Sequence, residues 1–226
     1  MSADLEATAP AADSEGVSLP WQIYRQIRAS IISGEYGPGM RLNEQRLAES
    51  LAVSRVPLRE SFPLLERDGF IQQLPRRSAV VSSWTTQRVD DLFDTRLSVE
   101  VEAARLATRK VAAGRSMAAV EASLEESEQL IESGADDRLI AEASTRFHEL
   151  VVELTDNDLL ISLMRPISQR MTWLFYLTSR RDSKRACAEH RELFAAIASG
   201  NEELARSVAY FHIEMGRQPS LETLKL

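Results

Sequence analysis

The stretch Glu44 to Phe62, EQRLAESLAVSRVPLRESF, limits what this chain can become more than any other, because it reads as two short helices joined by a tight turn. Leu47, Ala48 and Leu51 give the first helix an apolar face, and after a break at Ala52-Val53 the small polar Ser54 is placed as N-cap of the second. Pro57 falls in the first turn of that second helix, where its missing N–H would have had no partner, and Leu58, Phe62 and Leu65 recur at helical spacing until Gly69 ends it. Arg55 and Arg59 are four residues apart and so share one surface, at the helix end that can enter a DNA major groove. Together with Ser54 they are the candidate DNA-contacting residues. The alternative is a helical hairpin whose arginines are merely solvated.

Downstream, Phe70 to Leu74 and Ala79 to Ser82 read as two short strands around the basic tip Pro75-Arg76-Arg77-Ser78. Such a hairpin would be a wing, with Arg76 and Arg77 placed to meet the DNA backbone beside the groove. The charge distribution agrees. The whole chain carries −7, yet Ser18 to Ser83 holds nine arginines against six acids, while Trp84 to Leu226 holds 18 basic and 24 acidic residues. Every cation of the basic segment is arginine, the side chain suited to bidentate guanine and phosphate contacts.

Residues 1–17 are rich in Ala, Ser, Asp and Glu without periodicity and are expected to be a disordered tail. They lack the basic and apolar regions of a secretory signal, and no apolar run approaches a membrane span, so a cytoplasmic protein is expected. The single cysteine, Cys187, fits that expectation as a small packed residue.

Beyond Trp84 the periodicity is helical throughout. Six amphipathic segments, led by Val89-Leu92-Phe93-Leu97-Val101 and closed by Leu204-Val208-Phe211-Met215, are separated by breaks such as Gly114, Gly134, Asn157 and Gly200. The pattern predicts an antiparallel bundle large enough to be an independent domain. All three histidines of the protein lie here, on different predicted helices, with His190 and His212 on apolar faces and His148 beside Phe147. Each could be an ordinary core histidine, but three imidazoles from facing helices can also build a transition-metal site.

From Trp21 to Val81 the residues resemble the N-terminal domain of the GntR family of bacterial transcription regulators, through Tyr24, Ile27 and Ile31, the string SGEYGPGMRLNEQRLAESLAVSRVPLRESF, and the hairpin. Two departures stand out. Ser78 replaces the usual wing-tip glycine, and Pro63 lies inside the second helix, where it deprives the Arg59 carbonyl of its donor and predicts a local kink. TRFHELVVELTDNDLL, EHRELFAAIASGN and the histidine of AYFHIEM resemble the FCD effector-binding domain found in the FadR subfamily. That resemblance implies a divalent metal, zinc or nickel, on His148, His190 and His212, with Ser144 standing where the family places an aspartate ligand. It also implies that Arg96 and Glu100 of DTRLSVE face the effector cavity; an ordinary solvated i, i+4 pair is their alternative.

The expected architecture is therefore mainly α: a tail over 1–17, a winged helix-turn-helix over 18–83, and a helical effector-binding and dimerisation domain over 84–226. The expected function is a ligand-responsive transcription regulator that binds double-stranded operator DNA as a homodimer and senses a small carboxylate-bearing metabolite. A metal-dependent enzyme and a dimerising adaptor are the rival readings. The first lacks a carboxylate pair, a nucleophile motif or a phosphate loop at useful spacing.

Overall fold

The computed structural model describes residues 18–74, 78–179 and 183–226. The first helix, α1 (Leu19–Ile32), buries Ile23, Tyr24, Ile27 and Ile31 and gives way to the glycine- and proline-rich turn expected at Ser33 to Gly39. A two-residue strand, β1 (Arg41–Leu42), follows. Then comes α2 (Glu44–Ser50), whose N-cap is Asn43: its side-chain oxygen accepts from the backbone N–H of Gln45 and of Arg46 at 3.0 Å each. Ala52 takes a left-handed φ of 54°, which lets the chain reverse tightly into α3 (Arg55–Arg67).

The helix α3 continues past Pro63 to Arg67, with Asp68 as its C-cap and Gly69 in the left-handed region at φ 83°. Two strands, β2 (Ile71–Leu74) and β3 (Ser78–Val81), pair antiparallel, and β1 adds to the other side of β3, giving the order β1-β3-β2. The wing is thus part of a three-stranded sheet rather than an isolated hairpin. Its tip, with Arg76 and Arg77, and the expected tail over 1–17 lie outside the described residues.

The second half is helical: α4 (Thr86–Ala112), α5 (Ala118–Ser133), α6 (Asp137–Glu153), α7 (Asp158–Leu177), α8 (Ser183–Ala198) and α9 (Glu202–Leu224). Side-chain caps from Thr85, Asp136, Asn157 and Asn201 open four of these helices, and Gly134 closes α5 with a left-handed φ of 65°. Two apolar clusters hold the bundle together. One joins Ala104, Leu124, Phe147, Leu193, Ile197 and Ala209, and the other joins Phe93, Val152, Met164, Met171, Leu174 and Ile213.

The halves share a core. Trp173 of α7 is counted in the apolar cluster of the winged helix beside Phe70, with ring centroids 5.4 Å apart, and Trp84 packs on its other side at 5.5 Å. Polar contacts reinforce the seam: Arg170 donates to the Arg67 carbonyl at 3.1 Å, and the Arg165 guanidinium stacks 4.7 Å from the Trp21 ring centroid.

Candidate functional site

The helix-turn-helix presents Ser54, Arg55, Val56 and Arg59 at the exposed start of α3. The sequence accounts for this display, since Leu58, Phe62 and Leu65 take the inward positions and leave those four outside. Val56 is 66% exposed, a large apolar side chain with no role in the domain's own core. Ser54 occupies the N-cap position, but its hydroxyl makes no capping bond and so stays available to a phosphate. The two arginines differ. Arg59 Nε donates to Glu44 Oε2 of α2 at 2.7 Å, which holds its side chain at the surface, whereas Arg55 forms no ion pair among the described residues.

The three histidines converge. One ring nitrogen from each lies within 4.8 Å of the other two, and all three residues are buried. His148 Nε2 and His190 Nε2 are 3.1 Å apart, the His148 and His212 rings stack at 5.3 Å between centroids, and Phe147 stacks on His190 at 4.3 Å. Two carboxylates orient the rings. His148 Nδ1 lies 2.7 Å from Glu100 Oε2, and His212 Nδ1 lies 3.1 Å from Glu189 Oε2. Each contact places a proton on Nδ1, which leaves Nε2 of the ring to face the centre.

Arg96 and Glu100, adjacent on α4, are 2% and 5% exposed, so they are not the solvated pair that their spacing also permits. Arg96 grips Glu100 through Nε at 2.7 Å and a second N–H at 3.3 Å, and its guanidinium is sandwiched between Phe93 and Phe175, 5.4 Å from each ring centroid. Its Nη2 reaches to 3.4 Å from His148 Nε2. Burial pushes the Glu100 carboxyl upward, but Arg96 and His148 outweigh burial and hold it well below the usual carboxylate range. Burial pushes His148 down to about 4 against the pull of Glu100, so its imidazole is neutral at physiological pH.

Next to these groups is a cavity of ≈ 90 Å³, lined among others by Arg96, Ser144, His148, Phe175, His190 and His212. That is room for a few waters or one small ligand. Cys187 is buried in the same lining, and burial raises its thiol pKa, so it packs rather than reacts. Of the pair that the sequence placed facing the cavity, Arg96 lines it; Glu100 stands behind, its oxygens spent on Arg96 and His148. Sequence reasoning passed over Glu189, although it directly precedes His190, because its partner His212 arrives from another helix.

An exposed helix start on a winged helix, joined to a helical bundle with a ligand-sized cavity beside three histidines, defines a DNA-binding protein with a second, helical domain. Residues 21–81 match the family described as bacterial regulatory proteins, gntR family, and residues 91–215 match the FCD domain. The chain belongs to the GntR family of transcriptional regulators, in the FadR-like arrangement of a winged helix followed by FCD, and it is a regulator rather than an enzyme. It is 32% identical to the HTH-type transcriptional regulator YdhC of Bacillus subtilis over 193 residues, covering 84% of this chain and 86% of that one. Similarity extends to the Nta operon transcriptional regulator of Aminobacter aminovorans, at 28% identity with 86% and 90% covered. In fold, a GntR transcriptional regulator from Rhodococcus sp. RHA1 superposes with a TM-score of 0.73 at 23% identity, covering 90% of this chain and 97% of that one. E. coli McbR/YncC gives 0.72 at 21%, with 89% and 96% covered. No helix among the described residues is long and apolar enough to cross a membrane.

Proposed function

We propose that two copies of this chain bind a two-fold-symmetric operator through paired winged helices, and that a small carboxylate-bearing metabolite in the α4–α9 cavity controls that binding. The observation that carries the reading is the cavity's donor set. Three imidazoles, two of them oriented by Glu100 and Glu189, meet beside the buried guanidinium of Arg96. Such a centre favours an anionic guest over a neutral one.

The same donors suit a borderline metal, because two of the imidazoles already have their Nδ1–H engaged and the nitrogens lie within one coordination sphere's reach. His148, His190 and His212 would hold zinc or nickel, which when bound supplies a positive centre with open positions for a carboxylate. Ser144, in the cavity lining, brings a hydroxyl rather than a further anion.

At the DNA, Arg55 and Arg59 read base edges with Ser54 on the adjacent phosphate, while Arg76 and Arg77 supply backbone contacts. Gel-shift titration against the DNA upstream of the protein's own gene tests this. Arg55→Ala or Arg59→Ala should cost about 1–3 kcal/mol on the specific site alone, whereas Arg76→Ala and Arg77→Ala should weaken specific and random DNA alike and flatten the salt dependence. Identical behaviour of the two pairs on both DNAs would reject the assignment.

A further inference from the structure

The seam between the two domains encloses a second cavity, of ≈ 330 Å³, that neither DNA recognition nor the histidine centre uses. Three segments wall it: Gly69 just after α3, Trp84 and Arg88 at the start of α4, and Arg170 and Trp173 on α7. Two cations therefore line one pocket. Among the described residues neither is paired with a carboxylate: Arg88 donates to the Ser83 carbonyl at 3.1 Å, and Arg170 to the carbonyls of Pro166 at 2.8 Å and Arg67 at 3.1 Å. Both guanidinium groups keep further N–H donors beyond these bonds.

The acids in the neighbourhood are otherwise engaged. Asp68 is buried against the Tyr24 hydroxyl at 2.6 Å and Arg67 at 2.9 Å, and the exposed Asp91, which also lines the cavity, accepts from Gln87 at 2.8 Å. Arg170 is half-buried, and desolvation presses its pKa downward, against the pull of Asp68 and with a further push from the charge of Arg88. A third donor is nearby: the Trp84 indole Nε1–H is buried with no acceptor among the described residues. Two partly buried guanidinium groups with no carboxylate in ion-pair contact among the described residues, beside an orphaned N–H, offer an anion donors that the protein's own acids leave unused.

We propose that this interdomain cavity binds a small oxyanion, a phosphate or carboxylate group held between Arg88 and Arg170. Its place gives it leverage on DNA binding. Arg170 also holds the C-terminal turn of α3, and its guanidinium fills the space over Gly69, where an added Cβ would lie 2.6 Å from Arg170 Nε. An anion bridging Arg88 and Arg170 ties α4 to α7 directly behind the recognition helix, so oxyanion and operator affinities are linked reciprocally.

Trp84 and Trp173 line the cavity and provide the readout. Tryptophan fluorescence and calorimetry of the full chain, titrated separately with inorganic phosphate and with malonate at constant chloride, should give a saturable transition. The anion that saturates at lower concentration identifies which oxyanion the site prefers. Arg88→Gln should weaken that transition about tenfold or more, and Arg170→Lys, which keeps the charge but loses the planar fork, should weaken it as well. The proposal is overturned if neither anion binds saturably, or if both arginine variants titrate like the wild type, which would place the anion elsewhere.

Discussion

Glu100 serves two partners at once, anchoring the buried Arg96 guanidinium and fixing the proton of His148 on Nδ1. Glu100→Gln removes the only charge that balances Arg96 in this contact, so urea unfolding should show a loss of about 3–5 kcal/mol, the size expected when one partner of a buried pair is removed. A loss under about 1 kcal/mol would mean that Arg96 is balanced by some other group. Ser144 sets a different balance. With Glu100 spent on Arg96 and His148, and Ser144 offering only a hydroxyl, a divalent ion at the histidines would lack a carboxylate ligand of its own. Elemental analysis should therefore find sub-stoichiometric zinc or nickel in the wild type, rising when a small dicarboxylate is added, and tighter retention in Ser144→Asp. Absence of metal from both proteins under every ligand condition would leave the histidines as a polar core.

At the scale of single elements, α2 is short, with 7 residues, and exposes much of its surface, so its cap matters more than its packing. Asn43 satisfies two of its orphan N–H groups, and Asn43→Ala should cost about 1 kcal/mol in chemical denaturation while loosening the turn that aims α3. An unchanged midpoint would assign the position of α2 to Leu47 and Ala48 alone. The helix α7 works differently, because it is shared. Trp173 enters the winged-helix core while Phe175, two residues on, lines the histidine cavity and stacks on Arg96. A ligand that moves Phe175 thus acts on the same rigid element that carries Trp173 and Arg170.

For the whole molecule, one winged helix covers too little DNA to specify a site, and symmetric half-sites need two copies at fixed spacing. Sedimentation at micromolar concentration should report about twice the 25.3 kDa protomer mass, with or without operator. A monomer under both conditions would reject the paired arrangement. α9 exposes Leu204, Phe211 and Met215 along one stripe, and this is the face on which substitutions should be tried first if the dimer is to be broken.

Much of this protein was written locally. The helix-turn-helix, the helices α4 through α9 and the breaks between them follow from the 3.6-residue period, from caps and from glycine, which act over a few residues, although α9 turns Leu204, Phe211 and Met215 outward and buries Ala205, Ala209 and Ile213 instead. The inward faces of three histidine-bearing helices were legible for the same reason. What only the tertiary structure decided is what depends on meetings between distant segments. β1 pairs across the sheet with β3, Glu189 meets His212, Glu100 sits behind the cavity rather than in it, and Trp173 leaves its own bundle to complete the other domain's core. A periodic pattern states which face of a helix is buried but not against what, because partner choice is a property of packing, and packing is settled only when every face competes for the same interior.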